Sequence, residues 1–303
     1  MLPYIFLVLF CVFAVDTFAK SEKVQSVLDD KLLVVKFDEK QPVTFVGKKS
    51  VNGGNGVGGG MMYPADTAGL FLVSILTHAA VSGSVEKSRL TKEQELANKV
   101  LDPYASYIAN VNADYLFNPN DLKNFEQSGM SFLKGVEEGD KSRWHLKTVP
   151  VFAMTQNQNS LIVYNKMTFI DQSLIDTKKK INKKPKRAKR GAVDPNEKLV
   201  VIVSDPISAE SAADFWIRDN AKAFQDTVKN LYLESFKLGV SRQFGNLDAA
   251  QEKQVTVKYL EDGVKKIERG YVISQTCKRT VFESLAKEIK SVPNLDYTSC
   301  SES

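Results

Sequence analysis

Apolar residues recur along this chain with more than one spacing, and each spacing predicts a different kind of element. Lys31–Phe37 (KLLVVKF) and Pro42–Val46 are short β-type runs separated by the turn-prone Asp38-Glu39-Lys40-Gln41, so they predict an opening hairpin. His145–Thr155 and Leu161–Ile170 flank Gln156-Asn157-Gln158-Asn159-Ser160 and predict a second hairpin. Lys198–Ser204 (KLVVIVS) is a continuous apolar run, as a strand buried on both faces would be, and should lie beside that hairpin. Gln254–Leu260 and Lys265–Ser274 around Asp262-Gly263 predict a last hairpin.

Helical periodicity occupies the intervals. Ala65–Val85 is apolar or small on nearly every side, while Glu86–Val111 is amphipathic through Leu90, Leu96, Val100, Leu101, Tyr104, Tyr107 and Ile108. Pro103 should kink or split that helix. Pro119–Lys134, capped by Asn118, predicts a shorter helix. Ser204-Asp205-Pro206 predicts the start of a long helix reaching about Leu238, with Phe215, Trp216, Phe224, Val228, Leu231, Tyr232 and Phe236 as its apolar stripe. Arg279–Lys290 predicts a closing helix that stops before Pro293. Strands in hairpins and helices in blocks imply an α+β fold, with a mostly antiparallel sheet packed against several long helices.

The N-terminus changes the picture. An apolar run from Ile5 to Val15 closes on Thr17-Phe18-Ala19, a small-x-small pattern, and polar Lys20-Ser21-Glu22-Lys23 follows. Residues 1–19 therefore read as a secretory signal, and the chain as an exported protein of the periplasm or cell envelope, or of the secretory pathway in a eukaryote. Beyond it, residues 20–52 form the opening hairpin, 53–60 a Gly-rich segment, 61–135 a helical region and 144–303 an α+β region.

Composition is that of an ordinary globular protein, 43% hydrophobic and 25% charged. The net charge of +5 misleads, because the nine cations between Lys178 and Arg190, taken from +5, leave −4 for the rest. No general affinity for nucleic acid follows. That run (Lys178, Lys179, Lys180, Lys183, Lys184, Lys186, Arg187, Lys189 and Arg190) reads as an exposed loop, as a site for an anionic surface, or as a processing site before Gly191. Loss of the signal removes Cys11 and leaves Cys277 and Cys300, an even pair that predicts a disulfide tying the C-terminal tail to the body.

Other motifs yield to plainer readings. Gly54-Asn55-Gly56-Val57-Gly58-Gly59 fits G-x-G-x-x-G but lacks the return strand and acidic residue of a dinucleotide fold, so no cofactor is expected. Ala65–Val85 is long enough to cross a bilayer yet diluted by Asp66, Ser74, Thr77, His78, Ser82 and Ser84, which favours a packed helix with membrane attachment as the alternative. His78 and His145 are too few for a metal site and supply no assignable triad. Glu137, Glu138 and Asp140, and Glu261 with Asp262, are paired carboxylates in turns, read as solvated charge.

The assembled features resemble a group of uncharacterised exported bacterial cell-envelope proteins. The pieces that carry the resemblance are Gly53–Gly60 with Ala65–Gly83, Pro150–Ile170, Trp216-Ile217-Arg218-Asp219-Asn220-Ala221, and Glu268-Arg269-Gly270 through Ser291-Val292-Pro293. The Lys178–Arg190 run stands outside it as a local insertion. The resemblance implies an envelope location and brings no activity with it. The expectation is a non-catalytic binding or assembly module whose partner is a membrane surface or an envelope component. Its rivals are a membrane-associated factor anchored through Ala65–Val85 and a hydrolase of envelope polymers.

Overall fold

A computed structural model of the chain describes residues 29–37, 43–48, 85–122, 125, 131–134, 142–174, 196–207, 211–245, 253–262 and 264–295. Residues 1–19, the Gly-rich segment 53–60, the apolar residues 65–84, the carboxylates at 137, 138 and 140, the basic run 178–190 and Cys300 lie outside the described residues.

The strands are β1 (Asp29–Phe37), β2 (Thr44–Gly47), β3 (Ser131–Lys134), β4 (Ser142–Met154), β5 (Leu161–Asp171), β6 (Glu197–Val203), β7 (Val255–Glu261), β8 (Val264–Gln275), β9 (Arg279–Ser284) and β10 (Ile289–Pro293). They form one sheet in the order β3-β1-β4-β5-β6-β10-β9-β8-β7, with β2 paired to β4 off that path. The helices are α1 (Val85–Asn98), the single turns α2 (Ala105–Ile108) and α3 (Ala113–Leu116), and α4 (Ala212–Gln243).

An α+β fold is present, but the sheet is mixed rather than mostly antiparallel. β1 and β2 are not a hairpin: both run parallel to β4, β1 along its first half (Leu33↔Trp144 to Phe37↔Thr148) and β2 along its last (Thr44↔Val151 to Gly47↔Met154). β3 runs parallel to β1, and β10 parallel to β6. Two short apolar runs close in sequence have the same pattern whether they pair with each other or with a distant third strand, and the thirteen-residue β4 is long enough to take both.

Two further helix expectations give way to strand. Pro119–Lys134 splits into one 3₁₀ turn, Pro119–Leu122, and strand β3. Arg279–Lys290 splits into β9 and β10 around a turn at Leu285–Lys287, where Lys287 takes φ +68°. Thr280, Phe282 and Ser284 alternate inward, a period-2 pattern hidden in a segment whose Lys and Glu mimic helix composition. Near Pro103 the helix does break: Lys99–Tyr104 is 3₁₀.

Helix α4 packs on one sheet face. Trp216, Phe224, Val228, Leu231, Tyr232, Phe236 and Val240 meet Leu146, Phe152, Val163, Met167, Phe169, Val200 and Ile202 in the larger core. Phe215 is the exception in the expected stripe and is 38% exposed. The helix starts later than Ser204-Asp205-Pro206 suggests, at Ser211, whose hydroxyl accepts from Asp214 N–H. Ser204 instead caps the sheet end, its Oγ accepting from Leu161 N–H at 3.0 Å.

The opposite sheet face is covered by the sheet itself. β8 bends at Gly270, with a register shift between Val272 and Ser274, so that the β7–β8 hairpin curls back over β4, β5 and β6. A Cβ at Gly270 would stand 2.5 Å from the Glu283 carbonyl oxygen, so only glycine permits this approach. Val151, Ile162, Tyr164, Val201, Val257, Tyr259, Val272, Phe282 and Val292 form the second core beneath the hairpin. Tyr259 bridges to Asn294 and brings β7 against the end of β10.

Candidate functional site

One end of the sheet is densely tied together by the loop Thr155–Ser160. The loop closes on itself through Thr155 N–H to Ser160 O (3.1 Å) and Gln158 N–H to Thr155 O (2.9 Å). Gln158 sits at φ +57°. Its carbonyl accepts from Trp216 Nε1 at 2.6 Å, and its side-chain oxygen accepts from the Tyr104 hydroxyl. Gln156 Nε2 donates to Lys48 O (2.8 Å) and Ala97 O (3.1 Å). Burial, and then the charge of Asp214, pushes the Tyr104 phenol up to about 12, so it is a fixed donor at physiological pH.

Behind this loop α4 is not a continuous helix. Arg218 is extended at ψ 149°, and Asp219, Asn220 and Ala221 follow at φ 53°, 57° and 56°, one full left-handed turn. Trp216 and Phe224, on either side of it, face each other edge-on at 6.4 Å, and Tyr104 stacks on Phe224 at 5.2 Å. The turn brings both rings into contact in the same core, whereas an uninterrupted helix would hold their Cα atoms about 12 Å apart along its axis.

The edge strand β2 is finished by side chains. Gly47 N–H donates to Asn98 Oδ1 (2.8 Å) and Gln94 Nε2 donates to Gly47 O (2.8 Å), so α1 supplies the groups that a further strand would. Between β2 and the residues after α1 lies an open groove of about 380 Å³, lined by Val43, Phe45, Leu101 and Ile108 with Asn98 and Asp102 at its polar side.

Two ionic groups close the second core. At one end Lys48 pairs with Glu261, and Asp262 beside them is held above the usual carboxylate range by burial. Glu261 and Asp262 are therefore half-buried participants in a contact between layers, rather than the solvated turn charge expected from the sequence. Deeper in, Lys290 Nζ lies 2.8 Å from Glu268 Oε1 and 3.0 Å from Glu288 Oε2, and Tyr259 Oη lies 3.1 Å from Glu268 Oε2. Burial works against the Lys290 ammonium, yet Glu288 and Glu268 outweigh it and hold its pKa above the ordinary value. Burial, reinforced by nearby glutamates, raises the phenols of Tyr164 and Tyr259 well above theirs. These carboxylates converge on a lysine inside a packed core, not on an open cleft.

The outer face of the β7–β8 hairpin has the opposite character. Lys258 stands across the ladder from Ile267, Leu260 from Lys265 and Thr256 from Arg269. Lys258, Lys265 and Arg269 are exposed, and so is Ile267 at 64%. Glu261 and Glu268 turn to the inner side, toward Lys48 and Lys290, which leaves no carboxylate among the outer cations in the described part of the hairpin.

Of the residues singled out from sequence, Cys277 lies exposed in the turn between β8 and β9, and its carbonyl accepts from Asn294 Nδ2 at 2.7 Å. His145 is buried on β4 between Val34 and Ile170. Among the described residues no group of three or more His, Cys, Asp or Glu could hold a metal ion, and no helix is long and apolar enough to cross a membrane. Sequence reasoning missed Lys48, Lys290 and Glu288, whose pairing depends on a fold-back that no local pattern announces. The outer cations were legible only as alternating Lys and Arg in Lys258–Arg269. In comparisons with known proteins the chain matches no protein-family model, no curated protein and no solved structure.

Proposed function

We propose that this chain is an exported cell-envelope protein that works by binding or assembly. The observation that carries the reading is the segregation of its charge. Buried carboxylates are closed onto Lys290 and Lys48, while the free cations of the β7–β8 hairpin and the apolar groove beside β2 are open surface. Enclosed, mutually neutralised charge is held by its own partners and offers nothing to a substrate, whereas open, unpaired chemistry serves contacts. Export is supported by the apolar run and Thr17-Phe18-Ala19 at the N-terminus. A hydrolase of envelope polymers would need two carboxylates facing a cleft across several ångströms, and the pairs among the described residues face lysines instead.

The test is fractionation of the expressed full-length chain, with N-terminal sequencing and salt and carbonate washes of the membrane pellet. The expected result is a chain beginning at Lys20, found outside the cytoplasm and soluble or released by salt. A cytoplasmic chain with residues 1–19 intact overturns export. Retention through carbonate overturns peripheral binding in favour of anchoring through Ala65–Val85.

A further inference from the structure

The face of the sheet that α4 covers over β5 and β6 continues outward through β10 and β9 onto β8 and β7, where nothing described covers it. On β9 and β10 it is still engaged: Ser291 meets Glu234 of α4 at 2.6 Å, and Glu283 meets Arg242. Past Tyr271, under Lys287, it becomes the outer side of the β7–β8 hairpin. Its composition there is specific. Lys258 is a diagonal neighbour of both Lys265 and Arg269, a spacing of roughly 7–8 Å at which like charges repel and an acid would ordinarily be interposed. In a chain that carries −4 outside residues 178–190, three neighbouring cations with no acid beside them among the described residues are a local excess.

An apolar residue on the same face selects among anionic partners. Ile267 lies between the cations, opposite Lys258, and is more than half exposed. An acidic polypeptide would be satisfied by the charges alone. A bilayer interface rewards both, since headgroup phosphates neutralise Lys and Arg while short aliphatic side chains enter the boundary of the acyl region.

We propose that the outer face of the β7–β8 hairpin docks on an anionic lipid surface, with Lys258, Lys265 and Arg269 meeting headgroup phosphates and Ile267 entering the interface. This names a partner for the binding role proposed above and rests on that role. β8 and β7, the last two strands of the sheet, are the elements that sit against the membrane.

The experiment is co-sedimentation of the full chain with phosphatidylcholine vesicles, with and without phosphatidylglycerol. It compares the unchanged chain, Lys258→Gln/Lys265→Gln/Arg269→Gln, Ile267→Ser, and a chain whose nine cations from Lys178 to Arg190 are all Gln. All the hairpin positions are exposed, and unchanged unfolding midpoints verify that the variants fold. A surface cation contributes about fivefold to binding an anionic membrane, so the triple variant is expected to lose about a hundredfold on phosphatidylglycerol vesicles. The same ratio is expected in the background lacking the basic run. Ile267→Ser is expected to weaken binding by about fivefold at high salt, where the charges are screened. Binding by the triple variant equal to that of the unchanged chain overturns the proposal. So does a chain that ignores these vesicles, an outcome that leaves export and other partners standing. Loss in the triple variant, no change in Ile267→Ser and equal retention on immobilised polyglutamate would assign the face to an acidic polypeptide and overturn the lipid.

Discussion

Lys290→Met removes the ammonium from the second core and keeps the length of the side chain. Met fills most of the space of the lysine stem, so the cavity contribution is small and the change reports on charge. The side chain of Lys290 is 11% exposed, those of Glu268 and Glu288 are 9% and 3%, and each carboxylate lies within 3.0 Å of Nζ. Without the ammonium, two buried carboxylates face each other in a low-dielectric space. Removing one partner of such a buried pair costs about 3–5 kcal/mol. The variant should also acquire a pH dependence. Its two carboxylates repel each other only while both are ionised, so taking up a proton relieves the folded variant more than its unfolded chain. Stability is then fully present below the unfolded pKa and lost as pH rises through the folded pKa, so the deficit is largest at neutral pH and shrinks on acidification. Urea unfolding at several pH values measures this, with Glu268→Gln/Glu288→Gln/Lys290→Met as the control expected to recover most of the loss. A deficit below about 1 kcal/mol at neutral pH, flat with pH, would place these charges in the class of solvated surface pairs and refute the closed-cluster reasoning.

Gly270→Ala puts a methyl against the Glu283 carbonyl and the Phe282 ring, 2.5 and 2.7 Å away, and should destabilise by about 1–3 kcal/mol, read as a lowered Tm. At the left-handed turn Asn220→Gly should stabilise slightly and Asn220→Val destabilise by about 1–2 kcal/mol; equal midpoints for the two would remove the turn from the account. For Asp171 and Glu283 burial opposes ionisation, but hydrogen bonds and charge from Arg143 with Ser173, and from Lys287 with Arg242, outweigh it and depress both pKa values. Their contribution is present above the unfolded carboxylate pKa and lost as pH falls through the folded one, so acid unfolding should begin at higher pH in Arg143→Ala than in the unchanged chain. Cys277 and Cys300 are expected to be joined in the secreted chain, because Asn294, six residues before Cys300, is already hydrogen-bonded to the Cys277 carbonyl; alkylation of both thiols without prior reduction would disprove the bond.

What was legible in the sequence is what depends on local pattern. The β4–β5 hairpin, β6 beside it, the β7–β8 hairpin and the break at Pro103 each follow from alternation, a continuous apolar run, a turn dipeptide or a missing N–H, and each is present. What failed depends on partners distant in sequence. β1 and β2 lie on the same edge of β4 because that strand is long enough to accept two in succession, a fact about residues more than a hundred positions away. β9 and β10 carry the charge pattern of a surface helix because Glu283, Glu288 and Lys290 serve as partners of Arg242, Glu268 and one another inside the fold. A segment whose charges are buried in pairs is indistinguishable, read alone, from one whose charges are solvated.

The left-handed turn at Asp219–Ala221 belongs to the same class, and it shows why the crowded end of the sheet was not legible either. Nothing in Trp216-Ile217-Arg218-Asp219-Asn220-Ala221 demands φ > 0, although Asp and Asn tolerate it better than most residues. Three such residues in succession cost roughly 3–6 kcal/mol, so the surroundings must repay that amount. Trp216 Nε1 reaches the Gln158 carbonyl, its ring meets Phe224, and Ala221 is fully buried against the larger core. Gln158 is itself held at positive φ, and Tyr104 grips its side chain. Two strained backbones thus hold each other through one indole and one amide. A single rigid helix would have satisfied the local sequence, but only the broken one lets the β4–β5 loop, the residues after α1 and α4 meet at one point. Backbone strain at that junction is offset in large part by the hydrogen bonds of Trp216 and Tyr104 to Gln158, each spanning more than fifty residues of sequence.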